Sequence, residues 1–189
     1  MRRLITIGSQ HQGVMTIPGC IDYEQNTLFY RKDPSGYTLN SPSTLCYTWR
    51  RLLSRGVYAP LVRYGIVQAQ YYKNWRQLKQ YHRYNKFLTD INLETDSDNQ
   101  LSYRKNVESL ERLVLVMFDP DTVVIPRQSS WFGWKDESGI VPLQEQPIYE
   151  KLGLKCLDER KALFFIRKKG GHMAFDETWF KRLVAEHLQ

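Results

Sequence analysis

The run Leu113-Val114-Leu115-Val116-Met117-Phe118 constrains this chain more than any other stretch. It is too short for a buried helix and apolar on both of its alternating faces. A strand of that kind must be covered on both sides, which is the situation of a central parallel strand. A second all-apolar run, Ala162–Ile166, lies some way beyond it. A third, Leu4–Ile7, stands near the start and ends at Gly8.

Helical patterns lie between these strands. Leu101 to Glu111 places Tyr103, Val107 and Leu110 on one stripe. Ile148–Leu152 is a short helix closed by Gly153. Asp176 caps a last helix whose apolar side carries Trp179, Phe180, Leu183, Val184 and Leu188. The order is strand, long helical excursion, helix, strand, helix, strand, helix. Alternation of this kind predicts an α/β layer structure with three parallel strands. The 189 residues suit one domain, and 42 % apolar residues suffice for its core. The polar, turn-rich stretch 21–44 reads as an insertion loop.

No apolar run approaches the length of a membrane helix. The start, Met1-Arg2-Arg3-Leu4, lacks the long apolar region and cleavage site of a signal peptide. A domain that opens directly on a strand is expected to lack an upstream part. The net charge of +7 is either a solvated basic surface or the mark of an anionic partner, nucleic acid or an acidic membrane. The stretch 70–87 sharpens the second reading. It has no acid, and Lys73, Arg76, Lys79, Arg83 and Lys86 recur among Tyr71, Tyr72, Trp75, Tyr81, Tyr84 and Phe87. Cys20, Cys46 and Cys156 form no C-x-x-C pair, so zinc and thioredoxin-type sites are not indicated. Their number permits one disulfide or none.

Functional side chains in open parallel sheets sit just past the carboxyl ends of strands. Here these positions hold Asp121, in Asp119-Pro120-Asp121, and His172, after Gly170-Gly171. An acid after one strand and a histidine after the next is the Asp-then-His half of a hydrolase triad. The competing reading is an ordinary cap and a surface histidine. His11, His82 and His187 have weaker claims, His187 being near a helix C-terminus where a cation is favoured. No serine stands in a G-x-S-x-G elbow.

Gly8-Ser9-Gln10-His11-Gln12-Gly13-Val14 resembles the Gly-Gly-Gln-His-Gln-Gly-Val segment of palmitoyl-protein thioesterases. Val67-Gln68-Ala69-Gln70-Tyr71-Tyr72, Phe87-Leu88-Thr89-Asp90-Ile91-Asn92 and Tyr103-Arg104-Lys105-Asn106 are similar to the same family, in the same order. So are Trp131-Phe132-Gly133, Pro142-Leu143-Gln144-Glu145, Leu152-Gly153-Leu154-Lys155, Gly171-His172 and Thr178-Trp179-Phe180. Only about 21–44 falls outside the likeness.

The resemblance implies the C-terminal portion of an α/β-hydrolase, with a helical insertion after the first strand. It implies hydrolysis of long-chain acyl thioesters on protein cysteines, with Asp121 and His172 as triad acid and base. The serine and the oxyanion donors would lie upstream of Met1, leaving these residues inactive alone. It also implies a Cys20–Cys46 disulfide, no metal or organic cofactor, and the lysosomal lumen reached by the secretory route. Partners would be S-acylated proteins and fatty acyl thioesters, without nucleic acid, with peripheral contact to anionic lipid. Gln10, Gln12, Val123, Val124, Ile125 and Trp131 are the candidates for an acyl groove. For Val123, Val124 and Ile125 a strand end packed in the core is the competing reading. The alternative function is a non-catalytic, acyl- or lipid-binding truncated relative.

Overall fold

A computed structural model describes residues 2–15 and 67–188. The expected Cys20–Cys46 pairing and the insertion at 21–44 lie outside the described residues. Three strands form one parallel sheet in the order β1-β2-β5, with β1 Arg3–Ile7, β2 Arg112–Asp119 and β5 Leu163–Lys169. Leu4 faces Leu113 across the first pair, and Leu113 faces Leu163 across the second. A small antiparallel pair, β3 Trp134–Lys135 and β4 Ile140–Val141, lies in the connection from β2 to β5.

The central strand is buried from Leu113 to Phe118, as its apolar alternation demands. Leu113 and Leu115 join Leu4 and Leu163 on one face, packed with Leu110, Leu154 and Leu157. Val114 and Val116 face the other way, with Ile5, Ile7, Ile166 and Leu183. Each such aliphatic side chain contributes about 1.5–3 kcal/mol of burial. The first face is covered by α4 Gln100–Glu108, α5 Pro147–Lys151 and α6 Leu154–Glu159, the second by α7 Glu177–Leu188. Among the described residues β1 pairs only with β2, and none of the helices is long and apolar enough to cross a membrane.

The extent of β5 and the buried face of α7 differ from the sequence reading. β5 begins at Leu163 rather than Ala162 and runs on to Lys169, because Met117, Phe118 and Asp119 still offer Arg167, Lys168 and Lys169 backbone partners. Among the described strands it is an outer one, and its alternating exposure lets Arg167 and Lys169 lie on the exposed side without entering the core. In α7, Asp176 caps as expected, Oδ1 accepting from the Trp179 amide at 2.7 Å. The buried row is Leu183 and His187, flanked by half-buried Trp179 and Val184. Phe180 and Leu188, expected in the core, are 41 % and 42 % exposed. The helix meets the sheet along the i, i+4 row 179-183-187, and 180 and 188 lie on the neighbouring row. His187 is thus packed on Phe164, with ring centroids 5.5 Å apart, rather than standing free at the helix end.

The basic, aromatic stretch is not one striped helix. It breaks into α1 Val67–Tyr71, a 3-10 turn Trp75–Gln77, α2 Leu78–Tyr84 and α3 Leu88–Ile91. Asn74 accepts from the Arg76 amide, and Asn85 accepts from the Leu88 amide while donating to the Gln70 carbonyl. Tyr81 and Leu88 have no exposed surface and gather Tyr71, Tyr72 and Tyr84 into a satellite core. Arg76, Lys79, Arg83 and Lys86 face solvent, whereas Lys73 is buried.

Candidate active site

The parallel sheet brings the carboxyl ends of all three strands to one edge, and there the loops after β2 and β5 meet. Asp121 follows β2 in an Asx turn: Oδ1 accepts from the amides of Val123 at 2.8 Å and Val124 at 2.9 Å. This fixes the carboxylate and turns Oδ2 toward His172, whose Nδ1 lies 2.9 Å away. The Asp121 side chain is fully buried, and that of His172 is 25 % exposed. The histidine loop turns at Gly170, whose amide donates to the Asp119 carbonyl, and closes with Ala174 bonded to Gly171.

Two further residues confine the imidazole. Phe118, at the end of β2, presents its ring edge-on with centroids 6.1 Å apart. Gly8, at the end of β1, has φ +60, and a Cβ there would stand 3.0 Å from His172 Cε1. Only glycine gives both that backbone and that approach. A carboxylate can only accept, so the bond to Asp121 assigns the proton to Nδ1 and leaves Nε2 as the basic nitrogen. Among the described residues Nε2 has no hydrogen-bond partner, and the His172 side chain is 25 % exposed.

A cleft of about 620 Å³ has Gly8, the neighbour of His172, in its lining. Ser9, Gln10 and His11 form one wall, while Tyr71, Leu88, Ile91 and Asn92 form the other. Phe132 and Leu152 line it as well. His11 stacks on Phe132 with centroids 4.2 Å apart, and its Nε2 lies 2.9 Å from Thr6 Oγ1. Burial pushes its pKa down to about 4, so the ring is a neutral wall element. A smaller cleft of about 360 Å³, beside Arg112 and Ala162, sits at the opposite ends of the strands, away from this pair.

The expected site residues separate into groups. Asp121 and His172 come together, and Gln10 lines the cleft. Gln12 is buried, its Oε1 accepting from Lys73 Nζ at 2.7 Å. Val124 is fully buried, and Val123 and Ile125 are half-buried, the two valine amides serving Asp121. Trp131 packs on the sheet face, its Nε1 donating to the Leu115 carbonyl and its ring edge-on to Phe165. Gly8, Phe118, Tyr71, Leu88, Ile91, Phe132 and Leu152 were not singled out as site residues from sequence. Gly8 alone carried a local signal, being a glycine at a strand's carboxyl end. Ser9 lies on the cleft wall without a hydrogen bond to His172.

A family model described as palmitoyl protein thioesterase matches residues 1–172. Palmitoyl-protein thioesterase 1 of Caenorhabditis elegans is 35 % identical over 178 residues, 92 % of this chain and 53 % of that protein. A palmitoyl-protein thioesterase–dolichyl pyrophosphate phosphatase fusion of Schizosaccharomyces pombe is 32 % identical over 193 aligned residues, 100 % of this chain and 28 % of the fusion. A lysosomal thioesterase of Mus musculus is 41 % identical over 80 residues, 41 % of this chain and 26 % of that protein. The chain spans about half the length, or less, of these relatives.

Proposed function

The chain belongs to the palmitoyl protein thioesterase family, and on that premise we propose that it supplies the base, the orienting acid and part of the acyl cleft of a long-chain acyl thioesterase. The observation that carries this reading is the His172–Asp121 pair, packed against Gly8, which also lines the cleft. In the proposed reaction a serine hydroxyl attacks the thioester carbonyl while His172 Nε2 takes its proton. Asp121 holds the ring and stabilises the imidazolium. The tetrahedral intermediate collapses, the cysteine sulfur leaves, and His172 returns the proton to it. Water then hydrolyses the acyl-serine by the same base.

The serine of this reading lies outside these 189 residues, since G-x-S-x-G does not occur among them. The same absence favours a second reading, an acyl-binding relative without turnover. Hydrolysis of a palmitoyl thioester by the natural protein that contains these residues, lost on His172→Ala, supports the first. Acyl binding without hydrolysis supports the second, and neither binding nor hydrolysis sinks both.

Substrates in this reading are S-acylated proteins, and the compartment is the lysosome, the word carried in the names of several relatives. No metal or organic cofactor enters the reaction. Contact with anionic lipid is part of the same proposal. Met173, next to His172, is 47 % exposed, and Phe180 stacks on Phe175 at the surface. Lys168 lies over Trp179 beside them, on a chain of net charge +7. Exposed apolar side chains with a lysine beside them suit an acidic bilayer surface, where acylated proteins reside.

A further inference from the structure

One buried cation ties together three segments. Lys73, 7 % exposed in its side chain, directs its ammonium at Gln12 Oε1, 2.7 Å away, and at Glu94 Oε1, 2.9 Å away. The same nitrogen lies 5.1 Å from the ring centre of Tyr81 and 5.2 Å from that of Trp134. Gln12 is anchored from its other side, its amide donating to Ser129 Oγ at 3.0 Å. The main chain follows the same path: the Val14 amide donates to the Tyr71 carbonyl, and the Lys73 amide to the Val14 carbonyl. Burial pushes the Lys73 pKa down while the Glu94 carboxylate beside it pulls it back up. The proposed reaction uses none of these groups.

Each member sits next to the cleft. Gln12 directly follows Gln10 and His11 on one wall, Lys73 stands two residues beyond Tyr71, and Glu94 two beyond Asn92, on the other. Asn92 Nδ2 adds a second tie across the walls, donating to the His11 carbonyl at 2.8 Å.

We propose that Lys73, Glu94 and Gln12 form a clamp that fixes the width of the cleft, with Lys73 a positioning residue that sets which acyl chains fit. The proposal rests on the acyl-thioester reading for its ligand. Apolar packing between the walls would resist separation without fixing register. An ammonium shared by a carboxylate and an amide oxygen is directional as well as strong. Width matters for a methylene chain because dispersion contacts are gained on both sides only at contact distance, and a gap of 0.5–1 Å forfeits about a quarter to a half of each. The loss grows with the number of methylenes held.

Lys73→Met alone leaves a buried carboxylate without its counter-ion, so the informative variant is Lys73→Met/Glu94→Gln, made in the natural protein. Gln12, Gly13 and Val14 all have bonded amides. Their hydrogen exchange should accelerate about tenfold in the double variant, with β2 unchanged. KM for a palmitoyl thioester should rise about tenfold, with kcat retained and an octanoyl thioester little affected. Unchanged exchange, or equal KM changes for both chain lengths, overturns the clamp. If the unaltered protein hydrolyses neither thioester, the thioesterase reading fails and the exchange measurement alone decides the clamp.

Discussion

His172 Nδ1 and Asp121 Oδ2 lie 2.9 Å apart, although the two residues are 51 positions apart in the chain. The carboxylate in this pair has a single orientation, because its other oxygen is held by the amides of Val123 and Val124. That lock makes Asp121→Asn informative. The two amides keep the substituted side chain's oxygen and turn its NH2 group toward His172. A donor facing Nδ1 forces the proton to Nε2, so the base is lost with the fold intact. Turnover in the natural protein should fall about 10⁴-fold, the loss known for the same change in a serine protease triad, with little change in melting temperature. A fall of less than about tenfold would remove Asp121 from the reaction.

Gly8→Ala tests the packing behind the imidazole. The added Cβ meets His172 Cε1 at 3.0 Å and Phe118 Cε2 at 3.2 Å, on a backbone with φ +60. The left-handed conformation costs an L-residue about 1–2 kcal/mol. The ring displacement should cost more in kcat than stability alone explains. Thermal unfolding and kcat measured together check this. A variant with native kcat would show that the loop yields without moving His172.

His11 gives a pH dependence of stability. Its folded pKa is depressed from 6.5 to about 4 by burial. Between these values the unfolded chain binds a proton that the folded one refuses. Stability is therefore complete above about pH 6.5 and falls as pH drops toward 4. The ring is half-buried, so the loss is at most about 3 kcal/mol. Gln does not titrate, so the destabilisation caused by His11→Gln should shrink by a similar amount between about pH 7.5 and 4. Denaturant midpoints at the two pH values measure it, and a pH-independent difference would refute it.

The sheet and the meeting of Asp121 with His172 were legible in sequence for one reason. Alternation locates a buried strand, and parallel strands put their carboxyl ends on one edge, where Asp121 and His172 stand. The cleft was not legible. Gly8, Leu88, Phe132 and Leu152 come from four distant segments, and nothing local marks a leucine as wall rather than core. The burial of Lys73 was not legible for a related reason. Spacing groups Lys73 with Arg76, Lys79 and Arg83, but the breaks at Asn74 and Asn85 interrupt the helical run. The partner that lets it be buried, Glu94, lies 21 residues on. Phe180 shows the limit of periodicity, which finds an apolar side but not how wide a strip the sheet covers.

Contact with lipid is testable through its electrostatics. The natural protein should sediment with vesicles containing phosphatidylserine, much less with neutral phosphatidylcholine vesicles, and be released by salt. Met173→Ser/Phe180→Ser should weaken sedimentation without affecting hydrolysis of a soluble acyl thioester. Equal binding to neutral vesicles, or unchanged binding of the double variant, would leave the basic charge as mere solvation.

The 189 residues taken alone test where the nucleophile resides. His172 and Asp121 provide a base and its orienter, and a base without a positioned hydroxyl can only activate water. In serine proteases that lose a triad member, a residual 10³–10⁴-fold rate survives from the oxyanion hole and binding. In the proposed reaction the donors of that hole accompany the serine, so even this residual should be missing. The 189-residue chain should show no hydrolysis of a palmitoyl thioester above buffer between about pH 4 and 8. Adding the segment that carries a G-x-S-x-G elbow should restore it, and His172→Ala should abolish what is restored. Turnover by the 189 residues themselves would place the nucleophile among them, and Ser9 on the cleft wall, Cys20 and Cys46 would be the residues to replace first.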